Sequence, residues 1–146
     1  MTHVPRDASD EQVLDLVREW IDVLAKQDYD AVFAELGYAL AFGESGAECI
    51  RRTVQGYRSP SHYPGVEEFV VTDWRTAQGG NPAPQQKVTS FRPNSTRLVG
   101  AVDFDLPLNG QWSDLTANFV FFENDNLGEG YVLSLEEVQS SQQAQA

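Results

Sequence analysis

Three aspartates, brought close together by a predicted hairpin, are the side chains of this sequence with the clearest potential for chemistry. Asn109 and Gly110 favour the type I′ turn of a two-residue β-hairpin, between two stretches long enough to be strands. In that register Asp105 lies opposite Asp114, and Asp103 lies on the same face. Because like charges that face each other destabilise a sheet, the three carboxylates must be solvated, bound to a cation or an arginine, or partly protonated.

A metal ion is one occupant that such a cluster would accept, since Mg²⁺ and Ca²⁺ both prefer oxygen ligands. No ion-binding loop pattern accompanies the carboxylates, and the sequence therefore predicts neither a metal nor a cofactor. Solvation is the simpler expectation for them. A bulge near Pro107 would break the register, and the cluster with it.

The remaining reactive side chains are scattered along the sequence. His62 stands in a loop of aromatic and hydroxyl residues, where it is either solvated or a general base. The lone cysteine, Cys49, has no histidine beside it in sequence, which favours a small buried side chain over a nucleophile. Trp112 follows the hairpin turn, and an exposed tryptophan at that position would be a candidate interface anchor.

Charge is distributed unevenly along the 146 residues, whose net charge is −12. Residues 1–48 and residues 98–146 each carry a net charge of −8, whereas residues 49–97 carry +4. The basic middle either neutralises the acidic ends in the folded chain or binds an anion, for which Arg51 and Arg58 on one helix face are the candidate ligands. The negative total opposes nucleic-acid binding, because phosphate repels carboxylate.

The chain has no apolar run near the length of a membrane span, and its polar N-terminus lacks the apolar core of a signal peptide. A single cysteine excludes an internal disulfide, which fits a reducing compartment. We therefore expect a cytoplasmic protein without membrane or nucleic-acid partners. Its expected parts are a flexible start at residues 1–9, one domain at residues 10–138 and a disordered tail at residues 139–146.

Helices are predicted first and strands afterwards. Apolar residues at helical spacing predict a first helix over residues 13–24, after a cap at Ser9 or Asp10. A short second helix ends at Gly37, and a third is predicted over residues 44–57. The segments that follow are rich in β-branched and aromatic residues and are separated by turns. This order predicts an α+β domain with helices packed on an antiparallel sheet.

The order of elements resembles that of the nuclear transport factor 2-like (NTF2-like) superfamily. The apolar stripe of residues 13–24 and the segment from Lys26 to Ala31 (KQDYDA) are similar to the first two helices of that superfamily, and the resemblance covers residues 10–138. The segment from Asp105 to Ala117 also resembles a motif of uncharacterised bacterial domains. The first resemblance implies a cystatin-like cone, in which a curved sheet wraps a long helix and forms a pocket, and a homodimer through the sheet.

Some NTF2-like proteins are isomerases or dehydratases with an Asp or His base, and others bind ligands or proteins without catalysis. Asp73 has Phe69 and Val71 on its own side of a predicted strand. It is therefore a candidate base with a raised pKa, unless it is solvated or paired with Arg75. The candidate donors are three tyrosines, Tyr38, Tyr57 and Tyr63.

Three functions are compatible with these features. The first is a non-catalytic module that binds a small molecule or a protein partner, favoured by the lack of any nucleophile–base or metal pattern. The second is a small acid–base enzyme with a conical pocket and Asp73 or His62 as its base. The third is an acidic inhibitor or immunity-type protein that covers a basic partner. An enclosed pocket that holds Asp73 or His62 beside a tyrosine hydroxyl would favour the enzyme.

Overall fold

The structure is a computed structural model that describes residues 2–28, 46–92, 95–123 and 130–140. In these residues two helices pack against a strongly curled, five-stranded antiparallel sheet that forms half a barrel. The elements are β1 (Thr2–Val4), α1 (Asp10–Ala25), α2 (Gly46–Gly56), β2 (Gln86–Ser90), β3 (Leu98–Leu108), β4 (Gln111–Glu123) and β5 (Tyr131–Ser140). The predicted α+β class, with N-terminal helices on a curved antiparallel sheet, is therefore confirmed.

Helix α1 begins at a cap that its own sequence supplies. The Ser9 side chain accepts a hydrogen bond from the Gln12 amide at 3.2 Å, and the Gln12 side chain accepts one from the Ser9 amide at 2.8 Å. This capping box satisfies two amides that a helix start otherwise leaves unpaired. The apolar stripe beyond the cap is buried, and its Trp20 meets Phe119 edge to face with ring centroids 5.1 Å apart. The helix is thereby fixed over the inner face of the sheet.

The sheet has the strand order β1-β5-β4-β3-β2. Because side chains alternate along a strand, each strand presents one set of residues to the helices and another to the outer face. Val102, Phe119 and Leu135 belong to the inner set and are buried in the core. Their neighbours Ala101 and Val120 face each other across β3 and β4 on the outer face and are half-buried.

The first residues of the chain include a short strand that the sequence does not predict. Thr2–Val4 pairs with β5, with Val4 opposite Tyr131, and the Val4 side chain is buried. A three-residue strand carries no recognisable sequence pattern, and it forms because the edge of β5 offers main-chain groups that pair with any side chain. Strand β5 also extends to Ser140, two residues beyond the predicted end of the domain.

Several predicted segments lie outside the described residues. They are the second helix, the candidate donor Tyr38 and residues 141–146 of the predicted tail. The third predicted helix corresponds to α2, which is described from Gly46 to Gly56.

The Asn109-Gly110 turn is present as predicted, with φ angles of 53° and 81° at these two residues. Pro107 lies opposite Trp112 in the predicted register. Beyond Pro107 the register shifts, so that Asp105 lies opposite Thr116 rather than Asp114. The bulge that was considered near Pro107 therefore forms, at a residue that has no amide hydrogen to contribute to the strand pairing.

The segment at residues 66–75, predicted as a strand, is irregular and holds the hairpin turn in place. The Val70 amide donates to the Asn109 side-chain oxygen at 3.0 Å, and the Asn109 side-chain amide donates to the Glu68 carbonyl at 2.9 Å. Its one β-bridge within the described residues joins Val71 to Leu108. The apolar residues that suggested a strand are used to cover the end of the core.

Candidate functional site

Asp105 is almost fully buried, with 2% of its surface exposed. Its Oδ2 accepts hydrogen bonds from the Gln85 amide at 2.7 Å and from the Asn81 side chain at 3.1 Å. Its Oδ1 accepts a hydrogen bond from the Thr116 hydroxyl at 2.6 Å. Burial raises the pKa of Asp105, although the Thr116 and Gln85 donors act in the opposite direction. The expectation of a solvated carboxylate is wrong here, because Asp105 binds the loop at residues 81–85 to the sheet.

The other two hairpin carboxylates have partners of their own. Asp103 accepts a hydrogen bond from the side chain of Asn118, its cross-strand neighbour, at 2.6 Å. Asp114 lies in the bulge and accepts a hydrogen bond from the Tyr57 hydroxyl. Both charges still raise the pKa of Asp105. Within the described residues no group of three acidic, histidine or cysteine side chains is arranged to hold a metal ion.

Two of the candidate tyrosines form a buried aromatic cluster with Phe69. The ring centroids of Tyr57 and Tyr63 are 6.0 Å apart, and they lie 5.0 and 5.1 Å from that of Phe69, all edge to face. The Tyr63 hydroxyl oxygen lies 3.0 Å from the Leu108 carbonyl oxygen and 2.9 Å from that of Gln111. This tyrosine therefore joins the loop after α2 to the hairpin turn.

Both tyrosine hydroxyls keep their protons at neutral pH. Burial and the hydrogen bond to Asp114 raise the pKa of Tyr57 to about 12, and burial also raises the pKa of Tyr63. Such groups act as hydrogen-bond donors rather than as bases. Because each already donates to an acceptor within the protein, their observed role is to hold the loop against the sheet.

His62 lies next to this cluster and is half-buried. Its Nδ1 is 3.4 Å from the Oγ of Ser59, which is long for a hydrogen bond from a hydroxyl. Ser59 is buried, and its carbonyl accepts a hydrogen bond from the Tyr63 amide at 2.7 Å. Within the described part of the chain no carboxylate is bonded to the imidazole, so the pair lacks the third group that orients a catalytic base.

Asp73 is not a carboxylate in an apolar pocket, and that expectation is wrong. Its side chain is exposed and accepts hydrogen bonds from the Arg75 amide at 2.9 Å and from the Arg75 guanidinium at 3.1 Å. The Arg75 amide lowers the pKa of Asp73, whereas a buried base would have a raised one. The side-chain alternation that placed Asp73 beside Val71 requires a continuous strand, and the chain turns at residues 74–76 instead. The alternative of pairing with Arg75 is the one observed.

The two candidate anion ligands do not share a helix face. Helix α2 ends at Gly56, and Arg58 beyond it donates to the carbonyl oxygens of Gln55 and Tyr57 at 2.8 and 2.6 Å. It therefore caps the end of the helix. Arg51 instead bonds to Glu48 one turn earlier, with 3.1 Å between its Nε and a carboxylate oxygen.

Trp112 is half-buried beneath the loop at residues 78–85. Its amide donates to the Gly79 carbonyl at 3.1 Å, and its carbonyl accepts from the Asn81 amide at 2.9 Å. A Cβ at Gly80 would lie 2.3 Å from the Trp112 carbonyl oxygen, so only glycine allows this approach. The tryptophan therefore anchors a loop of the same chain. Less of its surface is left for contact with a partner protein.

A cleft of about 340 Å³ lies at the end of the sheet opposite the Asn109-Gly110 turn. It is formed where β3 begins, β4 ends and β5 begins, and its lining includes Phe91, Arg92, Arg97, Leu98, Glu123 and Tyr131. Phe91 and Leu98 are 39% and 37% exposed. They are two of the three large apolar side chains that are exposed in the described residues, the third being Val70.

Arg6 borders this cleft. Its guanidinium lies 5.1 Å from the centre of the Tyr131 ring and 3.3 Å from the Glu123 carboxylate. Arg6 also lines a second recess of about 570 Å³, which is formed by residues 3–7 and Gly130. Glu123 of the cleft is thus paired with Arg6, which lies outside the lining. The lining itself contains Arg92 and Arg97.

Sequence reasoning missed this cleft. The sequence predicts a short strand over residues 87–92, which contains Phe91, and a turn over residues 93–96, and neither pattern indicates a site. One available signal is the composition of the segment from Phe91 to Leu98, which begins and ends with a large apolar residue and contains Arg92 and Arg97. The exposure of Phe91 and Leu98 on one surface depends on the pairing of β3 with its neighbouring strands. The composition of the segment alone does not predict it.

Comparison of the chain with protein-family models, with curated proteins and with solved structures found no match. The NTF2-like resemblance therefore stays a prediction. Neither described helix is sufficiently long and apolar to cross a membrane.

Proposed function

We propose that this chain is a non-catalytic binding module, and that its ligand occupies the cleft between Phe91 and Tyr131. The observation that carries the proposal is the meeting of two exposed large apolar side chains, Phe91 and Leu98, in one concave surface. Exposed apolar patches mark interaction sites in soluble domains. A volume of about 340 Å³ falls within the range of small-molecule sites, about 300–1,000 Å³.

The two alternative functions have less support. The candidate donors Tyr57 and Tyr63 form hydrogen bonds that hold a loop to the sheet. Of the two candidate bases, Asp73 is exposed and paired with Arg75, and within the described residues His62 has only a 3.4 Å contact with Ser59. The inhibitor alternative depends on negative charge, and Asp103 and Asp105 are engaged by the chain's own side chains and loop. The lining of the cleft, by contrast, combines exposed apolar side chains with two arginines and suits a bound ligand.

The proposal predicts that the cleft binds a small apolar molecule. We expect the neutral fluorophore N-phenyl-1-naphthylamine to bind the purified protein with one site per chain, and its affinity to fall about tenfold in the double variant Phe91→Ser, Leu98→Ser. A loss of this size corresponds to about 1.4 kcal/mol, or the contact of a few buried methylene groups. A fluorescence titration measures both affinities.

Val70→Ser is the matched control for this experiment. Val70 is also 39% exposed but lies beside the hairpin turn, at the other end of the sheet. The Val70→Ser substitution should leave the affinity for the fluorophore unchanged. Circular dichroism should show the same melting behaviour in all variants. Absence of binding, or equal binding by the double variant and the wild type, would contradict the proposed function.

We further propose a homodimer through the outer face of the sheet. Its support is the pair of half-buried apolar residues Ala101 and Val120, which face away from the helices. A charged side chain at position 120 would be buried without a partner in such a dimer. Val120→Asp is expected to yield a monomer in sedimentation velocity at a concentration where the wild type is a dimer. A wild type that sediments as a monomer would exclude this assembly.

A further inference from the structure

The charges around the cleft differ in sign from those of the chain as a whole. The lining contains Arg92 and Arg97, and its Glu123 is paired with Arg6 at 3.3 Å. The chain has a net charge of −12. A cation-lined apolar cleft in so acidic a protein would favour a ligand of opposite charge.

The arginines can bind a ligand even while they contact other residues. A guanidinium carries several N–H donors in a planar fork, and one protein partner uses only some of them. A ligand that covers the apolar side chains of Phe91 and Leu98 would exclude water from the cleft. The loss of water would strengthen a hydrogen bond between an arginine and a charged group of the ligand. An acidic group on the ligand would therefore be recognised by Arg92 or Arg97 while its body covers the apolar side chains.

Screening limits the distance over which the hairpin carboxylates act on the cleft. At an ionic strength of about 0.1 M, charges interact strongly only within about 10 Å. Of the hairpin carboxylates, Asp105 and Asp114 lie towards the Asn109-Gly110 turn, and Asp103 lies in the middle of β3. Among the residues that the structure describes, the charges at this cleft are those of Arg92, Arg97 and Glu123 in the lining and of Arg6 beside it.

We infer that the cleft selects a small molecule with an apolar or aromatic body and one acidic group, such as a carboxylate, phosphate or sulfonate. This inference rests on the proposed function, since it names the class of ligand for the same cleft. The apolar body would lie against Phe91 and Leu98, and the acidic group would accept hydrogen bonds from Arg92 or Arg97.

Two probes with nearly the same ring system test the inference. The anionic probe is 8-anilino-1-naphthalenesulfonate, and the neutral one is N-phenyl-1-naphthylamine, which lacks the sulfonate. We expect the anionic probe to bind the wild type about tenfold more tightly at about 0.1 M salt, as one charge-assisted hydrogen bond would provide. This preference should shrink at about 1 M salt, where the screening length falls to about 3 Å.

Substitutions locate the source of the preference. Arg92→Gln and Arg97→Gln together should remove the preference for the anionic probe while affinity for the neutral probe stays the same. The corresponding lysine variants should restore part of it, because lysine keeps the charge but not the planar fork. Arg51→Gln, on helix α2 and outside the cleft, is the matched control and should change neither affinity. Circular dichroism and melting curves establish that each variant is folded.

The outcomes separate the inference from the function on which it rests. If both probes bind equally well, or if the arginine variants retain the preference, the inference is overturned while binding of the neutral probe still supports a binding module. If the anionic probe binds but the double variant Phe91→Ser, Leu98→Ser and the arginine variants leave its affinity unchanged, the site lies elsewhere and the inference is again overturned. If neither probe binds, the proposed function fails as well.

Discussion

Replacement of Asp105 by alanine is expected to lower the free energy of unfolding by about 2–4 kcal/mol. The substitution removes the acceptor of three hydrogen bonds. It leaves the Gln85 amide without its acceptor, whereas the Asn81 side chain keeps its hydrogen bond to the Ser113 carbonyl at 3.0 Å. Each buried donor left unpaired costs about 1–3 kcal/mol. Urea unfolding at pH 7, followed by circular dichroism, measures the difference.

Asp105→Asn is the control that separates shape from charge. Its side-chain oxygen can still accept from Gln85 and Asn81, and its amide can donate to the Thr116 hydroxyl oxygen, which accepts as well as donates. The loss should therefore be about 1 kcal/mol or less. A loss for alanine no greater than that for asparagine would contradict the assignment of Asp105 as the residue that binds the loop.

The stability difference between the wild type and Asp105→Asn is expected to depend on pH. The pKa of Asp105 is raised in the folded chain, so the folded state holds the proton more tightly than the unfolded state. Its contribution to stability is fully present below the ordinary pKa of 3.8 and is lost as the pH rises through the folded value. Asp105→Asn lacks this contribution. The stability of the wild type relative to Asp105→Asn should therefore decrease as the pH rises above 3.8; a relative stability that increases would reverse the sign of the shift.

Gly100→Ala is expected to cost about 3 kcal/mol although it adds a single methyl group. A Cβ at this position would lie 2.3 Å from Cζ of the Phe121 ring and 2.6 Å from the Thr89 carbonyl oxygen. The ring is buried and packs on Tyr131 with centroids 6.0 Å apart, and the carbonyl belongs to the neighbouring strand β2. Neither contact can be relieved without moving the core or the sheet.

A double-mutant cycle divides the cost of Gly100→Ala between its two contacts. In a Phe121→Ala background the ring is absent, so the added methyl group should cost less, with the contact to the Thr89 carbonyl remaining. Gly56→Ala is the matched control, because a Cβ at Gly56 at the end of α2 meets nothing within 4 Å. Equal melting temperatures for the Gly100→Ala and Gly56→Ala variants would show that the close approach at Gly100 is absent.

Local features of this protein follow from the sequence because their causes are local. The cap and apolar stripe of α1 need only the helical period and a side chain at Ser9 that accepts an amide. The Asn109-Gly110 turn needs two residues that tolerate positive φ angles. Helices before strands then limit the fold to an α+β arrangement, which the curled sheet bears out.

The candidate sites depend on contacts between distant segments, and there the predictions from sequence were incomplete. A bulge at Pro107 moved Asp114 away from Asp105 and towards Tyr57, and the choice between bulged and regular pairing was open in the sequence. Asp73 was assigned a side of a strand that does not form, because residues 66–75 pair with the turn of a hairpin more than thirty residues later.

What the sequence alone determined is therefore the class of fold, the first helix, the hairpin turn and the uneven charge. Tertiary structure decided which polar groups are buried and which apolar groups remain exposed. Asp105 is buried because the loop at residues 81–85 closes over it. Phe91 and Leu98 are exposed because the end of β2 and the start of β3 lie at the end of the sheet opposite the hairpin turn. The physical reason is that burial is a property of neighbours brought together by long-range strand pairing, whereas periodicity and turn chemistry are properties of adjacent residues.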